Sequence, residues 1–290
     1  MTKMVTQLTH RGVLEIQGED KAAFLQGLIS NDIHAVTPEQ AIYATFLSAQ
    51  GRFLYDFFIM EKEGSYFLDT ETERIEAFTK KLSLYKLRSD VILTLRPDLK
   101  VFVMWGEGVA PSLHLPEKVG SAEHGVFMDP RLLELGARSI GEISTTDFQL
   151  ATPRDYDLHR LTLGIPEGGK DLVPEKSIPL ECGFDELNAI SWTKGCYMGQ
   201  ELTARTKYRG LVRKRLFPVK IKGPAPLEGR EIFLNDQPVG EMRTHQGLQG
   251  LAMLRFEALK TFQEGQGQFV CDDAVLEPYI PFWMRLEEPS

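Results

Sequence analysis

Residues 194–201 read Lys-Gly-Cys-Tyr-Met-Gly-Gln-Glu, which places a thiol, a cation and two glycines within eight residues. A cysteine does chemistry as its thiolate. A neighbouring lysine (Lys194) and a helix N-terminus, expected from about residue 200, both favour that form. Gly195 and Gly199 lack a Cβ, so a ligand can approach the main chain closely. Cys196 is therefore the candidate nucleophile and Lys194 the candidate cation beside it. A tight strand-to-helix turn around an inert, buried cysteine accounts for the same residues equally well.

Asp56 is the second candidate. On a strand, Leu54, Asp56, Phe58 and Met60 share one face, and Phe53, Tyr55, Phe57 and Ile59 share the other. Asp56 is thus expected as a lone carboxylate in an apolar setting. Such a group either finds a hydrogen-bond partner or is pushed toward its neutral form by desolvation. A structural Asp satisfied by backbone amides is an equal alternative. Arg160 is a third candidate, with a helix-stabilising ion pair as its plain alternative.

The three cysteines, Cys182, Cys196 and Cys271, form no C-x-x-C pair, and the six histidines are scattered. No protein-only zinc or cluster cage is expected, and no metal site. No apolar run reaches the roughly 18 residues needed to span a bilayer. The early residues carry Glu15, Glu19 and Asp20 and resemble neither a secretory signal nor an Arg-rich transit peptide, so the expected location is the cytoplasm. A net charge of −8 argues against general affinity for nucleic acid. The stretch 194–215 runs the other way, with seven basic residues against Glu201 alone. It reads either as a solvated face or as a landing place for a polyanion.

These candidates need elements to hold them. A strand is expected at 13–17, and a helix over 20–30 stopped by Asn31-Asp32. Strands at 41–48 and 53–60 form a hairpin around Ala49-Gln50-Gly51-Arg52, with a third strand at 66–69. Ile75, Phe78, Leu82 and Tyr85 make one apolar stripe on a helix over 71–88. Further strands are expected at 91–95, 100–105 and 125–128. Thr152 as N-cap, Pro153 at the first position and Asp155 as capping partner mark a helix over 152–163. After residue 215, short alternating segments separated by Gly and Pro, without helical periodicity, predict a small β-barrel.

The octapeptide resembles the Lys-Gly-Cys-[Phe/Tyr]-x-Gly-Gln-Glu signature of the YgfZ family, folate-binding relatives of the glycine-cleavage T-protein. That family includes mitochondrial accessory proteins for iron–sulfur cluster assembly. Asp129-Pro130-Arg131, Gly136 and Arg138, Arg160 before Gly164-Ile165-Pro166, Pro179-Leu180-Glu181, Phe184-Asp185 and Leu187-Asn188 follow in the family's order. The resemblance implies an α+β fold. A T-protein-like folate-binding portion would occupy residues 1–214, and a small antiparallel β-barrel residues 215–290.

It further implies tetrahydrofolate as the cofactor, bound by Lys194, Cys196, Asp56, Arg160 and Trp192, the last as a wall for the pterin ring. Cys196 and Asp56 would carry any chemistry. The partners implied are folate, including its polyglutamylated form, and iron–sulfur assembly or client proteins; a monomer is the default state. The function implied is support of cluster assembly or repair. The alternative is an enzyme, a tetrahydrofolate-dependent aminomethyl transferase of the T-protein type. Against that alternative, no convincing Gly-Glu-x-Gly-[Phe/Tyr]-Glu segment, with which T-proteins hold the pterin, is present. Tyr55-Asp56 also stands where two adjacent acids are usual.

Overall fold

The computed structural model describes residues 2–286. The described residues divide into two compact units, one made of residues 2–156 and 187–200 and the other of residues 157–186 and 201–286. The expected barrel begins at Lys214, and the second unit adds residues 157–186 and the 201–213 segment to it.

The first unit contains, in chain order, β1 (Met4–Gln7), β2 (Arg11–Gln17), α1 (Lys21–Gln26), β3 (Ile42–Leu47), β4 (Phe53–Lys62), β5 (Ser65–Glu71), α2 (Ile75–Lys86), β6 (Ile92–Leu95), β7 (Val101–Trp105), α3 (Val109–Ser112), β8 (Ala122–Glu123), β9 (Val126–Met128), β10 (Ala137–Ile140) and β11 (Gln149–Leu150). They make two sheets. One is antiparallel in the order β3-β4-β5-β2-β6. The other runs β11-β1-β7-β10-β9-β8, with only the β1–β11 pair parallel.

Alternation along β4 decides what each face does. Phe57 and Ile59 point to the side covered by α1 and α2, where Phe24, Leu25, Phe78 and Leu82 close a core. The apolar stripe read from α2 is that contact: Ile75, Phe78 and Leu82 are buried, while Tyr85 is exposed. Asp56 and Phe58 point the other way, toward Phe127 of β9 and Arg138 of β10. The expected helix over 20–30 ends early, at Gln26, because Gln26 turns back to bond Asp32 and the amide of Ile33.

Helix α4 (Pro153–Thr162) starts as its cap residues predict. The Thr152 amide donates to Asp155 Oδ2 at 2.8 Å and the Asp155 amide returns to Thr152 Oγ1 at 3.4 Å. The second unit continues with α5 (Gly168–Asp171), α6 (Gln200–Tyr208), β12 (Lys214–Lys222), β13 (Glu231–Leu234), β14 (Gln237–Gln246), β15 (Gln249–Arg255), α7 (Phe256–Gln263), β16 (Phe269–Cys271) and β17 (Ala274–Pro278). Its strands close an antiparallel barrel in the order β12-β15-β14-β13-β16-β17. Closure leaves no unpaired edge. One expectation fails here: the region after 215 is not free of helix. In α7, Ala258 and Leu259 are buried in the barrel core beside Phe269, so packing supplies what a short apolar pattern did not announce.

The candidate functional site around Cys196

The 187–200 segment is stitched to the turn that follows α1. The Ser30 hydroxyl donates to Ala189 O at 2.6 Å, the Ser191 amide to Ser30 O at 3.0 Å, and the Met198 amide to Gly27 O at 3.2 Å. Asn31 Nδ2 donates to Asn188 O and to Tyr43 O, both at 2.8 Å. Asn31 thus joins the segment to β3.

Lys194 is the deepest pin. It is buried, and its ammonium donates to Ile29 O and Asn31 O at 2.7 Å each, with Nζ 5.2 Å from the centre of the buried Tyr197 ring. Burial pushes its pKa down to about 8, and Asp32 works against that. The cation expected to meet a ligand therefore bonds the main chain of the turn after α1.

Gly199 closes the loop from the other side. Its φ is +83°, and a Cβ there would lie 2.5 Å from Ser48 O in the β3–β4 turn, so this glycine is a steric requirement. Gly195 is different: a Cβ on it would meet nothing within 4 Å. The result is a loop held from beneath whose tip is open. Cys196 is exposed, whereas Cys182 and Cys271 are buried. Burial pushes the Cys182 thiol up to about 12, reinforced by Glu181, and the Cys271 thiol up to about 11, reinforced by Asp272. Only Cys196 offers its sulfur to another molecule. Trp192, next to the loop, is half-buried.

Asp56 is 2% exposed and accepts a 2.7 Å hydrogen bond from the Tyr43 hydroxyl, whose own proton is held by burial and by that carboxylate. It is not the lone polar group of an apolar face. Between the two sheets lies a buried ionic layer. Asp69 takes Arg11 Nε and Arg138 Nη2 at 2.6 Å each, Asp129 takes Arg131 Nη2 at 2.8 Å, and all three guanidiniums lie 4.0–5.7 Å from the Phe58 ring centre. Asp69 is fully buried; burial acts to raise its pKa, and the two arginines outweigh that and hold it below the usual carboxylate range. Sequence reasoning missed this layer as a physical unit, since its members come from β2, β4, β5, β10 and the 129–131 turn. Asp129-Pro130-Arg131 and Arg138 were its signals in the chain.

Arg160 belongs to the second unit. Its buried guanidinium donates to Asp157 Oδ1 and Asp171 Oδ2 at 2.6 Å and to Ile165 O at 2.9 Å. That is an ion network fixing α4 to α5, the plain alternative weighed for it. The basic stretch is also partly spent: Lys207 pairs with Asp185, Arg215 with Glu186 and Lys214 with Glu181, leaving Arg205, Arg209 and Arg213 exposed.

Over 95% of its length the chain is 35% identical to the mouse protein "Iron-sulfur cluster assembly factor IBA57, mitochondrial", covering 85% of it. The chain belongs to the IBA57 family. The human member is 35% identical over 88% of this chain and 78% of the human protein. Residues 213–286 match the family model of the CAF17 C-terminal β-barrel domain. The crystal structure of the glycine cleavage system aminomethyltransferase T from Bartonella henselae superposes with a TM-score of 0.77 at 13% identity, over 97% of this chain and 86% of that one. The fold is therefore T-protein-like with a C-terminal barrel, as the resemblance implied.

The IBA57 relatives overturn the cytoplasmic expectation: the mouse and human proteins are mitochondrial, which points to that compartment instead. The early acids that suggested otherwise belong to the folded unit, Glu15 in β2 and Asp20 at the start of α1, and carry no address. Among the described residues no helix is long and apolar enough to cross a membrane, and no group of three or more metal-ligating side chains exists.

Proposed function

We propose that this protein is a tetrahydrofolate-binding accessory factor that supports the assembly or repair of iron–sulfur clusters in mitochondria. The YgfZ-like loop 194–201 would be its working part. The observation that carries the reading is the exposed Cys196 thiol on a loop pinned by a buried lysine, in a member of the IBA57 family. A thiolate is a ligand for iron and a nucleophile. One cysteine with no metal-binding neighbours cannot enclose a cluster, so the cluster is substrate, and most of its ligands belong to another protein.

The residues of the first unit fit a reduced pteridine in their chemistry. Asp56 is a carboxylate among aromatic rings, able to accept ring N–H groups, and its present donor, Tyr43, is a neutral hydroxyl that a ligand can replace. Trp192 is the half-buried aromatic beside the loop. Bound tetrahydrofolate would supply a carrier for one-carbon units. The chain's own residues would orient it: Asp56 by accepting hydrogen bonds, and Asn31 by tying the loop to the strand of Tyr43.

Two measurements test this. Tetrahydrofolate binding to wild type, Asp56→Asn and Cys196→Ala should weaken at least tenfold with Asp56→Asn only. In cells lacking the protein, cluster-enzyme activity should be restored by wild type and not by Cys196→Ala. Normal cluster enzymes in those cells would remove the assembly role. Turnover with an aminomethyl donor, abolished by Asp56→Asn and indifferent to Cys196→Ala, would instead establish the transferase reading.

A further inference from the structure

Asp56, Phe58, Met60 and Lys62 alternate onto one face of β4, so Lys62 stands about 20 Å along the strand from Asp56. At the Lys62 end, a cleft of about 350 Å³ lies between β2, β4 and β5 on one side and the end of β10 on the other. That volume is within the range of small-molecule sites. Met60, Phe67, Leu99 and Ile140 supply its apolar lining.

Five charged side chains line the cleft as well: Glu15, Glu63 and Glu142 against Lys62 and Arg96. Arg96 is already committed. Its guanidinium donates to Glu15 Oε2 at 2.7 Å and to Asp98 through Nε at 3.0 Å and Nη2 at 2.7 Å. Glu15 is only 8% exposed, and its other oxygen has no hydrogen bond among the described residues. A carboxylate oxygen withdrawn from water calls for a donor, and the cleft is where one can enter. Lys62, Glu63 and Glu142 are exposed and make no ion pair among the described residues. Of the lining cations only Lys62 is therefore unbonded, against three carboxylates with capacity to spare.

Those carboxylates stand at two depths. Glu15 pairs with Phe67 between β2 and β5, and Lys62 pairs with Ser65 at the mouth of the β4–β5 turn that carries Glu63. Two residues of strand separate the levels, about 7 Å.

We propose that this cleft binds a linear aliphatic diamine. One ammonium donates to the free oxygen of Glu15, the methylenes lie over Met60, Phe67, Leu99 and Ile140, and the second ammonium meets Glu63 and Glu142. Ammonium–carboxylate bonds are charge-assisted, and the carbon chain displaces water from the apolar wall. A chain of about four or five methylenes spans the two levels. An amino acid suits the lining less, because its carboxylate would meet Lys62 alone beside two glutamates. The site is separate from the folate reading and does not depend on it.

Isothermal titration of the full chain with diaminobutane and diaminopentane tests the proposal, with butylamine and aminobutyrate as controls carrying one ammonium. The diamines should bind about tenfold tighter than either control, since each control lacks one charged hydrogen bond. Glu63→Gln with Glu142→Gln, on exposed side chains, should weaken diamine binding about tenfold at unchanged melting temperature and leave butylamine affinity as it is. Glu15→Gln should weaken diamines and butylamine alike, and Lys62→Gln should strengthen both. Diamine affinity unchanged in the double glutamine variant, tighter binding of aminobutyrate, or no binding of diamine at millimolar concentration would overturn the site. Each of those results would leave the assembly role and the ligand contact at Asp56 standing.

Discussion

The ammonium of Lys194 donates to the carbonyl of Asn31 across 2.7 Å, joining residues 163 apart in the chain. With the matching bond to Ile29, it converts a glycine-flanked loop into a held one. Lys194→Met should leave two buried carbonyls short of a donor, costing about 1–3 kcal/mol. It should also speed amide exchange over residues 194–199, measured by hydrogen–deuterium exchange. Unchanged exchange there would show that the loop is held by other means.

The same lysine sets a pH signature. Its pKa falls from an ordinary 10.5 to about 8 on folding, so between those values the unfolded chain binds more protons. Stability should therefore rise as pH increases from about 8 to 10.5, and that increment should be lost as pH falls through 8. Chemical denaturation across this range, with Lys194→Met as the flat control, measures it.

Thiol reactivity should be confined to one site. Iodoacetamide at pH 7.5 should label Cys196 and spare Cys182 and Cys271, whose thiols are buried and held protonated. Peptide mass spectrometry reads the ratio. Comparable labelling of Cys182 in the native protein would contradict the burial described.

The two glycines of the signature should behave oppositely. Gly199→Ala meets Ser48 O and a positive φ, and should cost roughly 1–3 kcal/mol or more. Gly195→Ala meets open space and should fall within about 0.5 kcal/mol of wild type. Urea midpoints of the two variants decide the point, and equal midpoints would refute it.

Two buried charges separate stability from binding. Asp69→Asn leaves Arg11 and Arg138 unbalanced and should cost about 3–5 kcal/mol. Because the folded pKa of Asp69 is depressed, its contribution is present above the ordinary carboxylate range and lost as pH falls below it, so the variant should show a weaker acid transition. Arg160→Met should destabilise by a similar amount while leaving tetrahydrofolate affinity within twofold, since Arg160 is tied to Asp157 and Asp171. A large affinity loss would return Arg160 to the ligand.

Local chemistry made much of the architecture readable from the chain. Alternation announced β4 and the barrel strands, a four-residue capping pattern announced α4, and the octapeptide announced a glycine-flanked thiol without deciding whether it is open or buried. Each of these depends on neighbours a few residues apart. The direction of Lys194, the partner of Asp56 and the bonds from Arg160 to Asp171 and Thr244 depend on groups brought from elsewhere in the chain. Burial then decides the outcome: a charge that leaves water must find partners, and which ones are within reach is a property of the folded molecule alone. The sequence supplied a lysine next to a cysteine; only the fold turned that lysine inward and left the sulfur outside.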